Sequence, residues 1–304
     1  MREPAIVLQQ LRRNVSESFC LGPLSLEIPR GAICALVGPN GAGKTSLLNI
    51  LMGTGSVDAG RASVLGHDVT QAAVEVKRRT ALVSPDISYR AWGTIGRTIN
   101  FVSGFYPDWD SQHCEQLLVR MGLHASERID SLSFGGRIKL SLVLALARHA
   151  QLLLLDEPSL GLDPLARQQL FTELLAFMQD EERTIVISSH QLAELERYAD
   201  YVAMLNQGQI VAHGTTPDLL SRYTELDVLL DRDGLIERSG LRLVARDGRR
   251  ARVLVDRASM PPAGSGTLGE LQIISERNLT LEELLVALVK SNSGVRWRPR
   301  MGLS

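Results

Sequence analysis

The stretch from Gly38 to Ser46 reads Gly-Pro-Asn-Gly-Ala-Gly-Lys-Thr-Ser and constrains this chain more than any other. It fits the phosphate-binding P-loop pattern G-x-x-x-x-G-K-[ST]. An apolar run, Ala32 to Val37, precedes it and predicts a buried strand. Ser46 to Met52 follows with helical spacing, so the loop has the strand–loop–helix setting it needs. Gly38, Gly41 and Gly43 let the backbone curl, and Pro39, Asn40 and Ala42 complete a loop whose N–H groups can form an anion nest. The following helix N-terminus adds partial positive charge. Lys44 is expected to reach the β- and γ-phosphates, and the Thr45 hydroxyl to ligate Mg²⁺.

A second apolar run, Leu152 to Leu155, ends in Asp156-Glu157-Pro158. A buried strand delivering two carboxylates suits a P-loop site. Asp156 can hold Mg²⁺ opposite the loop, and Glu157 can polarise the attacking water. Taken alone, the same residues also read as an acidic turn capping the next helix. Thr184 to Ser188 predicts a third buried strand, which brings Ser189 and His190 to its end. In an open parallel sheet ligands gather at the carboxyl ends of strands, which places His190 near Asp156 and Glu157. Strands and helices alternate through this region, predicting a layered α/β fold.

The remaining elements follow in order. Residues 1–31 read as short strands and turns, with Leu24 to Ile28 alternating as a half-buried strand. Phe19 is placed either to stack on an adenine ring or to fill the core. Arg61 to Leu65 and Ala81 to Val83 predict further strands. Residues 86–150 form a mainly helical insert, with a helix over Ser111 to Met121. Tyr89, Trp92, Phe101, Phe105, Tyr106 and Trp109 concentrate there, as core packing or as a binding surface. Leu132-Ser133-Phe134-Gly135-Gly136 opens a strongly apolar helix through Ala147, and Pro164 starts another over 165–179. A helix is expected over Gln191 to Ala199, a hairpin at Asn206-Gln207-Gly208, and a helix over Pro217 to Tyr223. The domain boundary is set at 224. Residues 225–293 predict a small α+β appendage with strands at Leu226–Leu230, Leu241–Ala245, Arg252–Val255 and Leu271–Ser275. A turn-rich segment spans Met260 to Gly266, and a helix over Thr280 to Lys290 carries a Thr280…Glu283 capping box. Residues 294–304 read as a basic, disordered tail.

Formal net charge is −1, from 33 Lys+Arg against 34 Asp+Glu, which gives nucleic-acid binding no support. No apolar run reaches the length of a membrane span; the nearest, Leu140 to Leu155, is broken by Arg148, His149 and Gln151. The start, Met-Arg-Glu-Pro-Ala-Ile-Val, lacks a signal-peptide pattern. Cys20, Cys34 and Cys114 are few and scattered, as expected of reduced thiols in the cytosol.

Over about residues 5–222 the ordered set of motifs resembles the ATP-binding cassette (ABC) ATPases, and within them the separate nucleotide-binding subunits of bacterial exporters. Gly38–Thr45 looks like the Walker A motif and Leu152–Glu157 like Walker B with its catalytic glutamate. Leu132–Gly136 resembles the family signature, Ser159–Asp163 the D-loop and His190 the switch histidine. The resemblance implies an ATPase that couples ATP-driven dimer closure to a separate membrane permease. It would lie at the cytoplasmic face of the inner membrane, with Mg²⁺ as cofactor. It implies that Ser133, Phe134, Gly135 and Gly136 face the ATP of the opposite subunit, in a homodimer or heterodimer. Thr45 and Asp156 would hold the Mg²⁺, Glu157 and His190 would be catalytic, and Asp163 would belong to the D-loop. Tyr89, Trp92 and Phe105 would receive a helix of the permease.

Two departures stand out. Phe134 and Gly136 replace the first Gly and the Gln of Leu-Ser-Gly-Gly-Gln, and Pro85 or Asp86 stands where the family's Q-loop glutamine is expected. The alternatives are a soluble ABC ATPase acting on ribosomes or DNA, and a nucleotide-dependent regulator not coupled to transport. The chain shows neither the paired cassettes nor the long coiled coil expected of the soluble class.

Overall fold

Apolar strands buried on both faces belong inside parallel sheets, and the three runs predicted from sequence take up that position. The computed structural model describes residues 3–190, 192–230, 240–259 and 272–291. The chain divides into two compact units, Met1–Gln191 with Tyr198–Ile210, and Leu192–Arg197 with Val211–Ser304. The second unit thus includes residues 192–197 and 211–224, which lie before the boundary expected at 224.

The first unit opens with β1 (Pro4–Ser16) and β2 (Phe19–Pro29), followed by β3 (Ile33–Val37) and α1 (Lys44–Leu51). Next come β4 (Ala59–Val64), β5 (His67–Asp68), α2 (Ala73–Arg79) and β6 (Thr80–Val83). The helical stretch holds α3 (Ile95–Ser103), α4 (Ser111–Met121) and α5 (Phe134–Leu146). Then follow β7 (Leu152–Asp156), α6 (Pro164–Phe177) and β8 (Thr184–Ser189). The short α7 (Leu192–Leu195) belongs to the second unit, and the chain returns to the first with β9 (Tyr201–Asn206).

One sheet orders its strands β2-β1-β4-β5. The other runs β9-β3-β8-β7-β6 with all neighbours parallel, and β10 (Gln209–Thr215) pairs at its β9 edge. The register is what matters for a site. Val37 pairs with Ser189 and Asp156 with Ser188, so β3, β7 and β8 end at one level. Leu47, Leu48, Ile50 and Leu51 of α1 are buried in the same core as Leu36, Leu152, Leu154 and Val186.

The first residues are not short strands but a long antiparallel hairpin. Gln9, Gln10, Arg12, Arg13 and Asn14 break the apolar alternation that a sequence reading needs. Their main chain still pairs, with β2 on one side and β4 on the other, across register shifts near Gln10, whose φ is +49°. The expected helix from Gln191 to Ala199 is observed only as the four-residue α7, and Asp200 then anchors the start of β9 to β3. The Asp200 N–H donates to the Ile33 carbonyl (2.9 Å), and its carboxylate accepts from the Ile33 N–H (3.0 Å). Gln191 itself lies outside the described residues.

The second unit continues with α8 (Thr216–Arg222), β11 (Tyr223–Leu229), β12 (Leu241–Asp247), β13 (Arg250–Asp256), β14 (Gln272–Asn278) and α9 (Leu281–Ser291). The strands form a sheet in the order β12-β13-β11-β14, antiparallel throughout. The capping box is present: the Glu283 N–H donates to Thr280 Oγ1 (3.2 Å), and the Thr280 N–H to Glu283 Oε2 (3.0 Å). The turn expected over Met260–Gly266, Leu271 and the tail 294–304 lie outside the described residues.

Within this unit Arg222 grips the buried Asp256 through two hydrogen bonds of 2.7 Å. Burial alone raises the Asp256 carboxyl, but hydrogen bonds from Arg222 and Ser259 outweigh it and hold the pKa below the ordinary value. A depressed carboxyl contributes stability above its unfolded pKa and loses it as pH falls through the folded one. Arg222→Ala should therefore destabilise the chain at neutral pH by about 3 kcal/mol, the cost of leaving a buried charge unpaired. Urea denaturation should show this, with the gap between variant and wild type narrowing as Asp256 protonates at acid pH.

Candidate functional site

The P-loop closes around the end of β3. Gly43 has φ +107° and precedes α1 without a side-chain cap. A Cβ there would lie 2.8 Å from Leu21 Cδ1 and 3.2 Å from Phe19 Cζ, so the loop requires glycine where β2 crosses it. The same contact puts the half-buried Phe19 ring against the loop, within the first unit. The Ala42 N–H donates to the Pro39 carbonyl (3.1 Å), and the Ala42 carbonyl accepts from the Gly208 N–H (3.0 Å), tying the loop to the β9–β10 turn. The N–H groups of the first turn of α1 have no acceptor within the helix. Asn40 and Gly41 lie exposed on the loop, and Ser46 is half-buried in that first turn.

Lys44 is 6% exposed. Its ammonium donates to the carbonyls of Gly38 (2.8 Å) and Pro39 (3.4 Å) and lies 3.6 Å from Glu157 Oε1. A buried ammonium ringed by carbonyls and one carboxylate suits an exchange onto phosphate oxygens, which carry more negative charge.

Across the strand ends, Thr45 Oγ1 donates to Asp156 Oδ2 at 2.7 Å. Ser188 Oγ donates to Asp156 Oδ1 at 2.5 Å. The Glu157 N–H in turn donates to Ser188 at its Oγ (3.1 Å) and carbonyl (3.2 Å). Glu157 needs that hold, for its φ of +46° lies in the left-handed region, where a non-glycine residue is strained by roughly 1–3 kcal/mol. Its carboxylate meets His190 Nδ1 at 2.8 Å. The structure thus brings Lys44, Thr45, Asp156, Glu157 and His190 together. It adds Ser188, which the sequence reading passed over as part of a buried strand. The available signal was a hydroxyl ending an apolar run two residues before His190.

The donor set at Thr45 and Asp156 is oxygen only, which fits Mg²⁺. That ion takes one or two carboxylates from a protein and the rest of its shell from phosphates and water.

Ser133 caps α5, its Oγ accepting from the Gly136 N–H at 3.0 Å, with Phe134 and Gly135 in the first turn. Asp163 caps α6 by accepting from the Ala166 N–H at 2.9 Å; this hydrogen bond above all holds its carboxyl below the ordinary pKa. At the Q-loop position β6 ends at Val83. Ser84 is buried, Pro85 half-buried and Asp86 exposed, the Asp86 N–H donating to Ser84 Oγ at 3.3 Å.

The aromatic residues of the insert divide. Trp92, Phe101 and Phe105 form a row with centroids 4.9 and 5.1 Å apart, and Phe101 and Phe105 are 47% and 63% exposed. Tyr89 lies 6.2 Å from Trp92, but its hydroxyl bonds to Ser141 of α5, and burial pushes its pKa up. Tyr106 is taken up by Arg148, whose guanidinium stacks 4.5 Å from the ring centroid and bonds both the Tyr106 hydroxyl and the Thr80 carbonyl. Phe101, which the sequence reading counted but did not choose, belongs to the exposed row.

Comparison with known proteins identifies the family. Residues 21–160 match the model of the ABC transporter family. The chain is 30% identical over 235 residues to Nod factor export ATP-binding protein I of Rhizobium sp. (strain N33), covering 75% of this chain and 77% of that one. It is 27% identical over 219 residues to the linearmycin resistance ATP-binding protein LnrL of Bacillus subtilis (strain 168), covering 70% of each. Among solved structures, one described as an ATP binding subunit of an ABC transporter superposes with a TM-score of 0.65 at 26% identity, covering 71% of this chain and 92% of that one. The chain belongs to the ABC transporter family, as one of its ATP-binding, ATP-hydrolysing subunits.

Proposed function

We propose that this chain energises an exporter from the cytoplasmic face of the inner membrane, working as a dimer of ATP-binding subunits on a separate permease. The observation that carries the catalytic part is the convergence of Lys44, Thr45, Asp156, Glu157 and His190, linked by Ser188, at the ends of β3, β7 and β8. Export is supported by the kinship with an ATP-binding protein named for Nod factor export. Among the described residues no helix is long and apolar enough to cross a membrane, so the translocation path is assigned to a partner.

The P-loop amides and Lys44 hold the β- and γ-phosphates, and Phe19 offers its ring to the adenine. Thr45 and Asp156 would hold Mg²⁺, which would supply neutralisation of the phosphate charge. Glu157 orients a water and takes its proton at a carboxylate oxygen as the water oxygen attacks the γ-phosphorus. The bond to the β-phosphate oxygen breaks, leaving ADP and phosphate. His190 Nδ1 fixes the Glu157 carboxylate from the side away from Lys44. Ser133 and Gly135 complete the ATP site of the opposite subunit, so ATP joins the two subunits and its hydrolysis releases them. The row Trp92–Phe101–Phe105 is the docking surface for a helix of the permease, with Tyr89 next to Trp92 at 6.2 Å between centroids.

Glu157→Gln should cut ATP turnover at least about 100-fold, in the range expected for loss of a general base, while ATP still binds and an ATP-bound dimer accumulates in light scattering. Turnover that survives in this variant would remove Glu157 from its role. Trp92→Asp and Phe105→Asp should abolish co-purification with the permease while leaving ATP binding unchanged. Variants that still assemble and couple transport would sink the docking assignment.

A further inference from the structure

Phe134 stands where the family signature has glycine, and it has a specific partner within the same subunit. A Cβ built on Gly161 of the D-loop would lie 3.2 Å from Phe134 Cδ1 and 3.6 Å from Cε1. The ring therefore rests on the bare face of a glycine, one whose φ is +69°. The next residue repeats the arrangement in reverse: a Cβ on Gly135 would lie 2.8 Å from Leu162 Cδ2, so Leu162 packs against the backbone of α5. Arg137 holds its guanidinium carbon 5.9 Å from the Phe134 centroid. The start of α5 and the D-loop are thus interlocked through two glycines, each facing a side chain of the other segment.

The D-loop leads directly to the catalytic carboxylate. The Leu160 N–H donates to the Glu157 carbonyl at 3.1 Å, and the Leu162 N–H to the Ser159 carbonyl at 3.2 Å. Glu157 is the strained residue of the site, and the turn that follows it is one of the contacts fixing its backbone. The path from the signature to Glu157 is short: Phe134 on Gly161, the turn from Ser159 to Leu162, then Glu157.

We propose that Phe134 is a positioning residue. It clamps the signature turn to the D-loop of its own subunit and through that turn holds Glu157 in place. This rests on the reading of Glu157 as the catalytic base and of Ser133–Gly136 as facing the ATP of the opposite subunit. On that reading, engagement of the signature by the other subunit's ATP bears on the Glu157 backbone of this one. A glycine at 134 provides no ring to transmit it. Restoring the common signature residue would therefore weaken this enzyme.

The test is a mutant cycle read by kinetics and by hydrogen exchange, on the chain in complex with its membrane partner. Phe134→Gly is expected to lower kcat about tenfold with KM for ATP within about twofold, the signature of lost positioning and not of lost binding. Phe134→Tyr keeps the ring and is expected to recover most of the kcat that Phe134→Gly loses. Gly161→Ala should lower kcat in the wild-type background. It should lower it several-fold less in Phe134→Gly, because the backbone strain at φ +69° is common to both and only the ring contact differs. The amides of Leu160 and Leu162 are expected to exchange about tenfold faster in Phe134→Gly. A Phe134→Gly enzyme with wild-type or higher kcat, additive effects in the cycle, or unchanged exchange at Leu160 and Leu162 would overturn the proposal. Glu157→Gln is run alongside. If it leaves turnover intact, the assignment of Glu157 has failed, and the exchange rates still decide whether Phe134 clamps the D-loop.

Discussion

Ser188 links the two carboxylates of the site through one hydroxyl. It donates to Asp156 and accepts from the Glu157 N–H, so it fixes the Asp156 carboxylate and the Glu157 backbone, the groups proposed to hold magnesium and to act as the base. This is possible only because β8 lies beside β7 in parallel and in register, with Ser188 opposite Asp156. The parallel sheet is in turn possible because Leu152 to Leu155 and Thr184 to Ile187 are buried on both faces. The fold and the chemistry thus share one constraint: three apolar strands must end at the same level.

From that constraint the electrostatics follow. Lys44, nearly enclosed, has carbonyl oxygens and Glu157 as its neighbours. Glu157 is held between Lys44 and His190, and its left-handed backbone is secured by Ser188 and by the D-loop turn. Preorganisation of this kind lets charged groups act without reorganising when the reaction occurs. Phe134 packs the start of α5 on Gly161, in the turn that follows Glu157.

Much of this was legible from residue types and spacing. The P-loop, the leucine run before Asp156 and the strand before His190 are strong signals because burial and chemistry coincide in each. The helix over Ser111–Met121, with Cys114, Leu117, Leu118 and Met121 buried, and the Thr280…Glu283 capping box are equally direct. What stayed hidden depends on neighbours distant in sequence. Ser188 is ordinary until Asp156 lies beside it. Tyr89 and Phe105 look alike until Ser141 takes the hydroxyl of one and leaves the other in solvent. The polar stretch of β1 gives no alternation, because its main-chain pairing with β2 and β4 carries it. Phe134 reads as a defect in a motif until Gly161 is seen beneath it.

The most direct test of the site is equilibrium binding of ATP by titration calorimetry, with and without Mg²⁺, to wild type and Asp156→Asn. If the strand ends form a single magnesium–nucleotide site, Mg²⁺ should tighten ATP binding to wild type, and Asp156→Asn should lose most of that enhancement while still binding the nucleotide through Lys44. An unchanged Mg²⁺ effect in the variant would contradict the shared placement of Thr45 and Asp156 around the metal.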